Sequence, residues 1–404
     1  MRTDAGLCIA DGMGIPTIHG ESDPRFARVR EVFAENFRER DEIGAALAIT
    51  LDGRPVVDLW AGHADLACTR PWERDTIVNV YSTTKGMAAL CLHQLVDEGR
   101  VDLDAPVARY WPEFAQAGKG ALPVRWLLGH RAGLAAVKPI LPNEALYDWD
   151  AMASALAAQE PWWEPGTAHG YHAVTFGWLV GEVVRRVSGK SLGTYFRERI
   201  AGPLAMDFHI GLPDAEHGRV AEMSPIPAAD PNADAAQLGL AVAIMSDPEG
   251  LSARAFMNPP SLAFGVNNAP WRRAEIPGGN GHGTARALAR VYGALASGGT
   301  VDGVRVLSRD GIARCHGELS HGPDRVLLLS TRFGHGFMLP QHGVEGAAFG
   351  PGTRAFGHPG AGGSIGFCDP DAGLGFGYVM NRMGPRILLD PRAEALIEAV
   401  YASL

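Results

Sequence analysis

Tyr81-Ser82-Thr83-Thr84-Lys85 opens the run Gly86-Met87-Ala88-Ala89-Leu90-Cys91-Leu92, and the reading of this stretch decides the fold. A spacing of three puts the Ser82 oxygen and the Lys85 ammonium on one helix face, one turn apart. Met87, Ala88, Leu90, Leu92, Leu95 and Val96 occupy most sides of the same segment before Gly99, which predicts a buried helix closed by a glycine cap. A lysine desolvated at the buried start of a helix has a lowered pKa and can take or share the serine proton, while the helix N-terminus offers backbone N–H groups to an oxyanion. The chain holds 15 serines but only four lysines, Lys85, Lys119, Lys138 and Lys190. Chance then supplies roughly 0.15 Ser-x-x-Lys matches. The plainer reading is a serine N-cap followed by a surface lysine.

Outward from this helix the pattern mixes sheet and helix. Residues 24–42 interleave charges with Phe26, Val29, Val32, Phe33 and Phe37 near a 3.6-residue period, an amphipathic helix. Two apolar runs at 45–51 and 55–60 meet at Asp52-Gly53, a hairpin signal. From about 100 to 275 the chain is rich in Pro, Ala and Trp, with helix patterns at 174–187 and 192–200. A helix at 284–296, closed by Gly298-Gly299, precedes strand-like runs at 304–307, 326–330, 333–339, 364–368 and 374–380, and a last helix covers 391–403. Sheet at both ends around a helical insertion predicts an α/β layer with strands from both termini. The expected division is a discontinuous α/β domain, 1–81 with 276–404, and a mostly helical domain, 82–275, with the active-site cleft between them.

With 404 residues, 46% of them hydrophobic and 20% charged, the composition is that of a soluble enzyme with a sizeable core and excludes a small binding module. A net charge of −9 and a pI near 5.9 give no footprint for phosphate backbones or an anionic membrane, so neither nucleic acid nor membrane is an expected partner. Cys8, Cys68, Cys91, Cys315 and Cys368 are odd in number and scattered, which argues against a disulfide framework and for a reducing compartment. Met1-Arg2-Thr3-Asp4 lacks the apolar run of a signal peptide, and no 18-residue apolar stretch occurs, so a cytoplasmic location is expected.

Three further segments follow in order: Trp126-Leu127-Leu128-Gly129-His130-Arg131-Ala132-Gly133-Leu134, Pro165-Gly166 with Tyr171, and His358-Pro359-Gly360. Together with Ser82-Thr83-Thr84-Lys85 the sequence resembles the serine β-lactamase and penicillin-binding-protein superfamily across nearly its whole length, and among its branches the family VIII carboxylesterases, which share the class C β-lactamase fold. The separations fit, 89 positions from Ser82 to Tyr171 and 187 from Tyr171 to His358. The resemblance implies an antiparallel sheet flanked by helices plus a mostly helical domain. It also implies a serine carboxylesterase that hydrolyses short-chain acyl esters through an acyl-enzyme on Ser82, with Tyr171 as general base beside Lys85. Such a base needs a phenol moved from about 10 toward 7, roughly 4 kcal/mol of differential stabilisation, for which a lysine ammonium and a helix N-terminus are the candidate sources. The N–H groups of Ser82 and Ala361 would form the oxyanion hole. His358, Gly360 and Trp163 are candidate substrate-binding residues, and neither metal nor organic cofactor is required. His358 stands where lactamases carry a lysine, and Ala173 where they carry an asparagine, and both replacements disfavour antibiotic hydrolysis. An acyltransferase, a weak β-lactamase or a D-amino-acid peptidase are alternatives within the fold, and a non-catalytic ligand-binding protein is one outside it. Neither the physiological ester nor the oligomeric state is legible.

Two rival features are present. Gly362-Gly363-Ser364-Ile365-Gly366 matches the nucleophile elbow Gly-x-Ser-x-Gly, but a strand and turn follow Ser364 where the elbow requires a helix, and no histidine occurs after His358. His169 and His172 have a ligand-like spacing of three without a third ligand, and read as turn residues flanking Tyr171. Trp162, Tyr110 and Trp111 could line a pocket with Trp163, although packing between helices is the commoner fate.

Overall fold

The computed structural model describes residues 16–227 and 235–404, with backbone alone for 235–237. Its main sheet is antiparallel, formed by β1 (His19–Ser22), β2 (Gly44–Leu51), β3 (Arg54–Gly62), β4 (Phe356–Pro359), β5 (Ile365–Asp369) and β6 (Leu374–Met380). The spatial order is β1-β3-β2-β6-β5-β4, so strands from both ends of the chain share one layer. Asp52 and Gly53 take φ of 50° and 75°, the two positive values a tight hairpin turn needs to join β2 to β3. On its other side β2 pairs with β6, from Ala45 opposite Met380 to Leu51 opposite Leu374.

The helices form where the apolar spacing placed them: α1 (Ala27–Glu39), α2 (Thr84–Asp97), α3 (Thr175–Ser188), α4 (Ala285–Ala296) and α5 (Pro391–Tyr401). Every residue of α2 from Thr84 to Leu95 is buried, and Gly99 and Gly189 end α2 and α3 with left-handed backbone. Helix α4 lies across β6, β2 and β5. Its approach is close because β6 carries glycine there: a Cβ on Gly375 would sit 2.2 Å from the Gly293 nitrogen.

Several expected strands are different. Residues 326–329 form a turn, because the Asp324 carboxylate accepts the N–H groups of Val326 and Leu327 and Leu328 has φ 60°. Only Ser330–Phe333 is strand, paired with Ser320–Pro323. The run 333–339 is broken at Gly334 and Gly336, where the Gly334 N–H turns back to the Phe337 carbonyl. At 304–307 just Val304–Arg305 pairs, with Thr300–Val301. The helix at 192–200 is α-helical over Leu192–Phe196 and widens into a π turn over Arg197–Ala201.

Cys68 is disulfide-bonded, contrary to the expectation from spacing. The sequence positions of cysteines do not report their distances, and the argument for a reducing compartment from cysteine usage falls with this bond. Cys91, Cys315 and Cys368 are free and buried. Cys8 and Met1-Arg2-Thr3-Asp4 lie outside the described residues. Among the described residues no helix is long and apolar enough to cross a membrane.

Candidate active site

Ser82 sits in the turn that feeds α2, with the helix itself beginning at Thr84. Tyr81 before it has φ 44°, a left-handed conformation costly for an aromatic residue, and the segment 278–281 holds that turn from outside. The Val80 N–H donates to the Gly281 carbonyl at 2.9 Å, and the Gly281 N–H donates to Thr84 Oγ1 at 2.8 Å. Lys85 is fully buried. Its Nζ donates to the carbonyls of Ala173 and Gly278, each at 2.6 Å, and lies 3.0 Å from Ser82 Oγ. Burial pushes its pKa well below the ordinary lysine value. A neutral amine with two N–H groups held by carbonyls has its lone pair left for Ser82.

The structure brings Tyr171 to the same point. Its hydroxyl lies close enough to Ser82 for the serine to act on the phenol's titration, and Lys85 Nζ lies 4.7 Å from its ring centroid. The ring stacks on Phe333 at 6.0 Å and lies 5.1 Å from the His130 ring. The expected lowering of the phenol pKa is not met. Burial raises it, and the Lys85 nitrogen faces the ring face while its N–H groups serve two carbonyls. Desolvation therefore favours a neutral lysine and a neutral tyrosine over an ammonium and a phenolate.

His358, Gly360 and Ala361 arrive from the end of β4. The His358 ring is buried 5.9 Å from that of Tyr171, with Nδ1 on the Pro359 carbonyl at 2.7 Å and Nε2 without a partner among the described residues. Burial, with the neighbouring Lys85, brings its pKa down to about 3, so it is neutral. Gly360 is pressed against the nucleophile turn: a Cβ there would lie 2.2 Å from the Val80 carbonyl oxygen. Among the described residues neither the Ser82 N–H nor the Ala361 N–H has an acceptor, which leaves two donors for an oxyanion. Ser364, the rival serine, is buried and donates to the Val80 carbonyl at 2.8 Å.

Residues 29–399 match the beta-lactamase family. The chain belongs to it. A curated relative, the esterase/beta-lactamase LipL of Mycobacterium tuberculosis, is 42% identical over 381 residues, covering 92% of this chain and 85% of that protein. A crystal structure of a family VIII carboxylesterase superposes with a TM-score of 0.87 at 46% identity, covering 96% of this chain and 100% of the other. A penicillin-binding protein homologue from Caulobacter crescentus gives 0.87 at 44% identity, with the same coverage. The superfamily resemblance and its fold are thus borne out, and as a member of the beta-lactamase family the chain is an enzyme of the serine hydrolase type.

Around this beta-lactamase-type centre, Trp163 and Tyr171 share a second apolar cluster with Ala173, Phe333 and Met338, onto which Leu240, Leu251 and Phe256 pack. Trp111 lies in the main core and packs on Phe114 at 5.1 Å; the Tyr110 hydroxyl accepts the Asp102 N–H, and Trp162 donates to the Ala136 carbonyl. His169 and His172 point to different partners, Thr331 Oγ1 and the Gly170 carbonyl, and no metal-ligating cluster occurs among the described residues. Sequence reasoning missed the carbonyls of Ala173 and Gly278, and Asp324. The glycine density of Pro277-Gly278-Gly279-Asn280-Gly281 was the available signal for a backbone packed against a site, since a Cβ on Gly278 would meet the Val174 carbonyl oxygen at 2.5 Å.

Proposed function

We propose that this enzyme is a carboxylesterase that hydrolyses short-chain acyl esters through an acyl-enzyme on Ser82. The observation that carries the reading is the Lys85 nitrogen, buried, committed to two carbonyls and 3.0 Å from Ser82 Oγ. Lys85 takes the Ser82 proton as Oγ attacks the ester carbonyl carbon, and the developing oxyanion is held by the N–H groups of Ser82 and Ala361. The carbon–oxygen bond to the alcohol breaks, and the Tyr171 hydroxyl proton passes to the departing alkoxide. Lys85 restores the proton to the phenolate. Water then enters, loses a proton to the Lys85–Tyr171 pair, and releases the acid and Ser82. LipL is named both an esterase and a beta-lactamase, and the carboxylesterase structure, by its name, supports ester chemistry. So does Ala173, whose carbonyl is spent on Lys85 and whose side chain is a methyl group with no amide to offer a lactam side chain. The apolar wall of Trp163 and its neighbours suits a hydrocarbon acyl group.

The test is a panel of aryl esters of graded acyl length run beside a cephalosporin and an amide, with a serine-directed phosphonate label located by mass spectrometry. Short acyl esters should give the highest kcat/KM and the label should lie on Ser82. A higher kcat/KM for the cephalosporin than for every ester, or a label on Ser364, overturns the reading.

A further inference from the structure

Tyr171 lies in irregular chain before α3, so no helix or strand fixes its position. Its own peptide N–H donates at 3.0 Å to Asp324 Oδ1, a carboxylate 153 positions away that is 2% exposed. Among the described residues no arginine or lysine is ion-paired with Asp324, whose charge acts on the His169 ring. A buried carboxylate without a counter-charge is costly unless its oxygens are filled with hydrogen bonds. They are filled here: Oδ1 also accepts the N–H groups of Val326 at 2.8 Å and Leu327 at 2.9 Å, and Oδ2 accepts the Thr331 hydroxyl at 2.9 Å. His169 Nε2 meets Thr331 Oγ1 at 2.9 Å, and the Arg325 N–H donates to the His169 carbonyl at 3.2 Å, so the strand Ser330–Phe333 and the turn before it each hold the tyrosine loop at a further point.

We propose that Asp324 is the positioning residue for Tyr171, fixing its backbone so that the hydroxyl stays beside Ser82. The inference rests on the reading of Tyr171 as the proton carrier. A residue that only closed its own turn would need the Val326 and Leu327 bonds and not the bond to Tyr171. Displacing a reacting group by about 1 Å costs on the order of a hundredfold in rate. Such a loss should fall on turnover, because Asp324 is buried and meets Tyr171 at its peptide N–H.

The experiment is a double-mutant cycle on an activated aryl ester. Asp324→Ala should lower kcat by about 100-fold with KM within about threefold of wild type. Asp324→Asn, whose amide oxygen still accepts the three N–H groups, should recover kcat to within about fivefold. In the Tyr171→Phe background Asp324→Ala should cost less than about threefold more, since the tyrosine through which it acts is already disabled. Full additivity in that background, or an intact kcat in Asp324→Ala, overturns the proposal. A Tyr171→Phe enzyme with wild-type turnover instead overturns the reading beneath it, and the two failures are thereby told apart. Should Asp324→Ala not fold, Thr331→Val removes one donor from the carboxylate and should lower kcat about five- to tenfold at unchanged KM; an unchanged kcat there overturns the proposal equally.

Discussion

Lys85 is a cation-forming side chain enclosed, among the described residues, without a carboxylate partner, and this decides what its substitution does. Lys85→Ala should lose both the proton acceptor and the link between the Ala173 and Gly278 carbonyls. Tyr171→Phe removes a hydroxyl and keeps the ring. Each should lower ester turnover by at least about a thousandfold, and the double variant should be little worse than either, because groups that act as a unit are not additive. Losses that multiply in steady-state assays would show that they act apart. Ser82→Ala should be as severe, whereas Ser364→Ala should cost far less turnover and lower Tm through the lost bond to Val80. The nucleophile pair was legible because serine and lysine at a spacing of three meet across a single turn, here the one that feeds α2. The electrostatic sign at Tyr171 was not, since desolvation is a property of the packed surroundings.

The elements show where sequence patterns succeed and where they stop. Helices α1 to α5 follow directly from apolar periodicity and glycine caps, and the β2–β3 hairpin from Asp52-Gly53. The run at 326–330 misled because four consecutive apolar residues satisfy a strand pattern, while the side chain of Asp324 reaches their N–H groups before any neighbouring strand can. The segment 277–281 carries no apolar pattern, yet it supports both Lys85 and the nucleophile turn. Gly278→Ala is the sharpest probe of it. Its Cβ would collide with backbone at Val174, the residue after Ala173, so the Lys85 carbonyl pair must spread. We expect a fall in Tm of several degrees and a loss of kcat of about tenfold or more, and wild-type values of both in thermal melts and ester assays would remove the segment from the site.

For the whole molecule, buried histidines set the response to acid. Burial lowers the pKa of His93 to about 4, and of His172, His282 and His358 to about 3, against an ordinary value of 6.5. Between these values the unfolded chain binds protons that the folded chain does not, so stability rises with pH. The contribution is complete above about 6.5 and is lost as pH falls toward 4 and 3. At pH 5 each histidine costs roughly 2 kcal/mol relative to pH 8. Thermal melts should show Tm falling steeply from pH 7 to pH 5; an equal Tm at pH 8 and pH 5 would contradict the assignment of four neutral buried rings. The net charge of −9, by contrast, speaks to solubility and leaves the fold undetermined.

The pairing of β2 with β6 joins residues more than 300 positions apart at the middle of the sheet. During synthesis at about 5–20 residues per second, β2 and β3 therefore wait on the order of 15–60 s before the strand that completes them exists. For that interval one edge of β2, apolar from Ala45 to Ile49, has open N–H and carbonyl groups and can pair with any passing strand. Contacts of such long range are also slow to form once the chain is complete. Yield of soluble enzyme should accordingly depend on translation speed and temperature more than on equilibrium stability, with slower, cooler expression suppressing aggregates seeded at the waiting edge.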